Sequence, residues 1–116
     1  FLLESLNIMQ GGEIFIPKIP SIKIIDLAKA IAPGCKLKIT GIRPGEKINE
    51  VLVPEDEAHN TIECENMYII LPPVKAWDTD EVYKGYRRVE ERFRYSSDTN
   101  KDWVNMDILE SVLQEA

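Results

Sequence analysis

The sequence predicts an α/β fold made of a parallel β-α-β unit, a β-hairpin and a C-terminal helix. Three observations carry that expectation. Ile14-Phe15-Ile16 is an apolar run of strand length, and Ile22 to Ala32 repeats apolar residues at helical spacing. Beyond them, Cys35, Leu37 and Ile39 alternate with Lys36, Lys38 and Thr40. Strand, helix and strand from Glu13 to Thr40 is the order of a right-handed parallel crossover.

The elements follow in chain order. Phe1, Leu2, Leu3, Leu6 and Met9 share helical periodicity, so the chain is expected to begin inside a helix, as a piece of a longer protein would. Gln10-Gly11-Gly12 breaks that helix, and Glu13 to Pro17 reads as a strand. Pro17 and Pro20 bracket an extended turn, because a residue before proline is biased away from helix. Ser21 is the expected N-cap of a buried helix striped by Ile22, Ile25, Ala28 and Ala32, which Pro33-Gly34 stops. Cys35 to Thr40 is the second parallel strand. Lys47 to about Leu52 is a short helix, since Ile48, Val51 and Leu52 share helical spacing.

Glu55-Asp56-Glu57-Ala58 suits the first turn of a small helix, where acids meet the positive end of the dipole. Thr61 to Cys64 and Met67 to Leu71 form a hairpin around Glu65-Asn66, and Pro72-Pro73 ends it. Val74 to Asn100 is polar and irregular. Its aromatics, Trp77, Tyr83, Tyr86, Phe93 and Tyr95, are mixed with Arg87, Arg88, Arg92 and Arg94. Such a mixture stacks nucleic-acid bases or packs as an arm on a neighbouring subunit. Finally, Asn105 caps a helix whose apolar face is Ile108, Leu109, Val112 and Leu113.

Composition narrows the function. The 116 residues make one domain or part of one, and 44% apolar content supports a modest core. Twenty acidic and 14 basic side chains give a charge of −6, which argues against a nucleic-acid partner and favours the packing arm. No apolar run reaches the roughly 20 residues of a membrane helix. Cys35 and Cys64 lie far apart and His59 is the sole histidine, so no metal or redox spacing exists and both cysteines are expected as small strand hydrophobes in a reducing cytoplasm.

Gly41-Ile42-Arg43-Pro44-Gly45-Glu46-Lys47 is the segment that carries chemistry. A planar guanidinium grips phosphate oxygens with parallel bonds, and a carboxylate accepts from ribose hydroxyls. Pro44 and Gly45 hold the turn between the two charges. On pattern alone, an arginine in a turn is more often a solvated charge or a helix partner.

Several blocks resemble a known family. Met9 to Ser21 with Ile24-Ile25-Asp26-Leu27-Ala28, Gly41 to Lys47 with Glu50-Val51-Leu52, Glu55 to Ala58, and Ser97-Asp98-Thr99-Asn100 with Trp103 are similar to the carboxy-terminal part of inverting UDP-N-acetylglucosamine 4,6-dehydratases. These are extended short-chain dehydrogenase/reductases of flagellin-glycan and capsule pathways. The resemblance implies the small substrate-binding domain of an NADP-dependent lyase that oxidises the sugar at C4, eliminates water across C5 and C6, and inverts C5. It places the NADP-binding Rossmann domain and the catalytic residues outside this sequence, which has no Gly-x-x-Gly-x-x-Gly turn and no Tyr-x-x-x-Lys. This stretch is thus expected to be inactive alone, with no catalytic and no metal-binding residue of its own.

The resemblance further implies that Arg43 contacts the UDP diphosphate and Glu46 the uridine ribose. Lys18 could line the nucleotide pocket, or could serve packing or surface charge. Asn49 stands where many relatives carry histidine and receives no role. Residues 1–73 are expected to be the nucleotide-sugar-binding region, and residues 74–116 an arm and helix packing on the domain or a neighbouring subunit. A UDP-sugar, the missing Rossmann domain and a second copy in a homo-oligomer are the expected partners. A non-catalytic assembly module, or the same domain of a nucleotide-sugar epimerase, are the alternatives.

Overall fold

The computed structural model describes residues 1–74 and 77–115, excluding the side chains of Glu110 and residues 113–115. Its helices are α1 (Leu2–Ile8), α2 (Ile24–Ile31), α3 (Thr79–Val82) and α4 (Met106–Glu115), with a 3-10 helix at Glu55–Asn60. Its strands are β1 (Ile14–Pro17), β2 (Val51–Val53), β3 (Thr61–Glu63), β4 (Met67–Ile70), β5 (Arg87–Arg88) and β6 (Tyr95–Ser96). They gather into two compact units that interleave along the chain. The first holds Phe1–Lys18 and Val51–Ser96, the second Ile19–Glu50 and Ser97–Ala116.

In the first unit a four-stranded sheet runs β1-β4-β3-β5, and a two-stranded ribbon pairs β2 with β6. Every ladder is antiparallel. The expected hairpin is present: Ile62 faces Ile69, and the Cys64 N–H donates to the Met67 carbonyl at 2.9 Å, closing the turn over Glu65-Asn66. Successive residues on a strand face opposite ways, and here both faces are covered. Phe15, Ile62, Met67 and Ile69 pack with Leu71 and Tyr83 on one side, while Ile16, Tyr68 and Ile70 pack with Val53, Phe93 and Tyr95 on the other. Met67 and Ile69 are sealed from solvent. The aromatics of the segment expected to be irregular thus supply core: Tyr83 and Tyr95 are buried, and Trp77 and Phe93 pack against them.

The parallel β-α-β unit is not formed. β1 pairs antiparallel with β4, Ile14 opposite Ile70, and residues 35–40 carry no strand. Alternation makes a strand only where another edge offers its N–H and C=O groups; here Ile39 is 89% exposed. Cys35 is exposed and off any strand, and only Cys64 is half-buried against the core. The short helix at Lys47 is also absent. Val51 and Val53 join β2 instead, because six residues cannot repay helix nucleation and β-branched side chains fit the ribbon facing Tyr95 and Ser96.

The second unit packs α2 against α4. Lys23, not Ser21, stands at the N-cap of α2, without a side-chain cap bond. Ser21 is engaged elsewhere: its backbone bridges Trp103 in an isolated parallel pair, and its hydroxyl accepts from Asn100. The helix expected to be buried has no buried residue, and Ile24 is 74% exposed. Asn105 caps α4 as expected, its Oδ1 accepting the Ile108 N–H at 2.9 Å. Leu109 is the buried residue of that helix face, while the Leu113 side chain lies outside the described residues. No helix among the described residues is long and apolar enough to cross a membrane.

Candidate functional site

Arg43 and Glu46 sit in the second unit, in a stretch from Ala32 to Glu50 without helix or strand. What shapes it there is turn chemistry. The Glu46 N–H donates to the Arg43 carbonyl at 3.0 Å, Pro44 occupies the second position, and Gly45 takes φ +86° at the third. This is a type II turn, whose third residue needs positive φ and whose second suits proline. The Glu46 carboxylate closes the loop from the other side, accepting the Arg43 N–H on Oε2 at 2.9 Å.

The side chains remain available. Arg43 Nε stands 3.9 Å from Glu46 Oε1, beyond hydrogen-bond range, with 76% of the arginine side chain and 51% of the glutamate side chain exposed. The turn therefore presents a guanidinium fork beside a carboxylate that spends one lone pair on its own backbone. An anion can take the fork, and a neighbouring diol can donate to the remaining carboxylate lone pairs. Cβ atoms added at Gly41 and Gly45 would meet nothing within 4 Å, so backbone conformation rather than crowding calls for glycine there.

Lys18 belongs to the first unit, and two of its three ammonium donors are engaged there. It donates to Glu63 Oε1 and to the Cys64 carbonyl, each at 2.8 Å, and lies 4.9 Å from the Tyr68 ring centre. Those contacts pin the end of β1 to the hairpin.

A second polar cluster in the first unit escaped sequence reasoning. Glu13 accepts the Gln10 N–H at 2.8 Å, the Gly11 N–H at 2.7 Å and the Tyr83 hydroxyl at 2.9 Å. Partial burial pushes its carboxyl pKa up, but the backbone donors and Tyr83 together hold it below the usual carboxylate value. Burial, and then the bond to Glu13, raise Tyr83 well above an ordinary phenol. Trp77 Nε1 donates to the Gly11 carbonyl at 3.0 Å. These bonds lock the Gly11-Gly12 turn, where φ is +126° and +90°. The paired glycines were the only local signal.

This glycine pair does not fit a dinucleotide. It lies between α1 and β1, whereas pyrophosphate recognition needs strand, turn and helix in that order. Among the described residues, no group of His, Cys, Asp and Glu is placed to hold a metal ion.

The chain is 47% identical to a UDP-N-acetylglucosamine 4,6-dehydratase (inverting) of Campylobacter jejuni serotype O:2, a match covering 90% of this chain and 33% of that enzyme. It is 46% identical to the enzyme of the same name from serotype O:23/36, over the same shares. The structure of Pen from Bacillus thuringiensis superposes with a TM-score of 0.74 at 27% identity, covering 97% of this chain and 34% of that one. The chain thus spans about a third of the length of these relatives. Its residues 1–72 match the family described as polysaccharide biosynthesis protein, and the chain belongs to that family.

Proposed function

We propose that this chain is the nucleotide-sugar-binding part of a C5-inverting UDP-N-acetylglucosamine 4,6-dehydratase acting in glycan biosynthesis in the cytoplasm. The observation that carries the reading is the type II turn holding an exposed Arg43 beside Glu46, in a chain 47% identical to an enzyme of that name. In the bound state the Arg43 fork grips the diphosphate, and Glu46 accepts the ribose hydroxyls without releasing the backbone bond that sets the turn. Lys18, two of whose three ammonium donors serve Glu63 and Cys64, holds the end of β1 and keeps a third donor for a ligand. Residues 1–73 are taken as the nucleotide-sugar-binding region, and residues 74–116 as an arm and helix that pack on the domain or on a neighbouring subunit.

The oxidation at C4 needs NADP, whose nicotinamide accepts the hydride when bound. The residues of this chain do not fit that cofactor, and no step through it is assigned to them. Their part is to bind and orient the nucleotide end so that the sugar is presented to groups elsewhere in the enzyme. On this reading the isolated chain binds substrate but does not turn it over.

Titration with UDP, followed by backbone amide shifts, tests the reading. Perturbations centred on Arg43 to Lys47 are expected. Shifts nowhere, or only within residues 77–100, would instead support an assembly module, a reading favoured by the exposed apolar residues of α1 and α2, Leu2, Leu3, Ile24 and Ile31 among them.

A further inference from the structure

The nucleotide-binding turn is embedded in a long stretch without helix or strand, which hydrogen bonds from elsewhere in the second unit hold in place. At its C-terminal end two hydrogen bonds do so. The Glu50 N–H donates to Ser97 Oγ at 3.0 Å, and the Ser97 N–H donates to the Glu50 carbonyl at 2.9 Å. Glu50 is four residues past Glu46, so this anchor lies within about 14 Å of the carboxylate-bearing backbone.

Ser97 is itself tied down through Asn100. The Asn100 amide donates to the Ile19 carbonyl at 2.8 Å and to Ser21 Oγ at 3.1 Å, while its Oδ1 accepts the Asp102 N–H at 3.1 Å. The Asn100 carbonyl accepts the Trp103 indole N–H at 2.8 Å. Around it, the Ser21 N–H donates to the Asp102 carbonyl and the Val104 N–H to the Ser21 carbonyl, each at 2.9 Å. One amide side chain thereby uses both donors and its acceptor to knot the entry to α2 to the segment leading into α4. All these groups lie within the second unit.

We infer that Ser97 and Asn100 are positioning residues for the nucleotide site: Ser97 tethers the Arg43–Glu46 loop at Glu50, and Asn100 fixes the segment that carries Ser97. The inference rests on Arg43 and Glu46 binding the nucleotide. It adds that the loop holds its binding geometry through a serine 47 residues downstream of the residue it anchors. Ordering an irregular loop only on binding would cost affinity, and a tether made beforehand removes part of that cost.

The test compares UDP binding by the wild-type protein, Ser97→Ala and Ser97→Thr, with amide hydrogen exchange at Glu50 read in each. Ser97→Ala is expected to weaken UDP binding roughly three- to tenfold, the worth of one hydrogen bond. It should also abolish exchange protection at Glu50, and Ser97→Thr, which keeps the hydroxyl, should restore both. Equal affinity in wild type and Ser97→Ala overturns the positioning role while leaving the nucleotide site standing. Absence of UDP binding by wild type overturns the nucleotide site itself. Should Ser97→Ala not fold, the wild-type protein still decides: an unprotected Glu50 amide, exchanging like that of a free loop, refutes the tether.

Discussion

Replacing Arg43 with alanine is expected to separate folding from binding. The side chain is 76% exposed, and its nearest charged partner, Glu46, is 3.9 Å away and itself half exposed. An ion pair of that kind contributes little to stability, at most about 0.5 kcal/mol once solvent screening is allowed for. Backbone atoms hold the turn with the Glu46 carboxylate: the Glu46 N–H to Arg43 carbonyl bond and the Arg43 N–H to Glu46 Oε2 bond are both kept in the variant. Arg43→Ala should therefore leave the denaturation midpoint almost unmoved.

Binding should respond differently. Loss of a two-pronged guanidinium contact to diphosphate costs roughly 2–4 kcal/mol, which is about 30- to 900-fold in Kd. Calorimetric titration with UDP reads that change directly. Raising the salt concentration should narrow the gap between wild type and variant, because an exposed contact is screened. A Kd within threefold of wild type, with the midpoint unchanged, would refute the assignment of the diphosphate to Arg43. A large fall in stability would refute the claim that backbone atoms hold the turn.

Other expectations follow from the same geometry. Gly45→Ala forces a side chain into φ +86° and should destabilise by about 1 kcal/mol, whereas Gly34→Ala, outside the left-handed region and equally open, should not; equal denaturation midpoints would discard the type II turn. Lys18→Met removes a partly exposed ion pair and a carbonyl bond, and should cost about 1 kcal/mol of stability with UDP affinity held within twofold; a large affinity loss would place Lys18 against the ligand. Glu13 has its folded-state pKa depressed, so its contribution is present above the ordinary value of 4.5 and is lost as pH falls through the folded value. Wild type should accordingly lose more stability than Glu13→Gln between pH about 6 and about 3, and parallel pH profiles in the two proteins would contradict it.

What was legible in the sequence is what is decided locally. Gly11-Gly12 and Pro33-Gly34 end helices because glycine and proline act on their own backbone, and Asn105 caps α4 because its partner is three residues away. The hairpin was legible because Glu65-Asn66 separates two apolar runs by a turn's length. The choice of partner for β1 was not. β4 lies some 50 residues downstream, and its Met67 to Ile70 run shows no alternation because both faces of the sheet are covered. The nearer candidate, Cys35 to Thr40, alternates well but has no strand edge to join. In Val51-Leu52-Val53, helical and strand periods are indistinguishable over so few residues, and pairing with Tyr95 and Ser96 decided between them.

The site divides along the same line. The pairing of Arg43 with Glu46 was legible because a proline-glycine turn brings residues three apart together whatever surrounds them. That of Ser97 was not, since nothing in Ser97-Asp98-Thr99-Asn100 announces that its first hydroxyl accepts from Glu50. Exposure of α2 follows the same logic. Its apolar stripe states that a face needs covering, and α4 covers part of it, yet Ile24, Ile25 and Ile31 remain in contact with solvent. A stripe in a sequence fixes the direction of burial, whereas the identity of the cover is a property of whatever packs there. In this family member, then, the Arg43–Glu46 turn is written into a few adjacent residues, while the bonds that hold the end of its loop come from a distance.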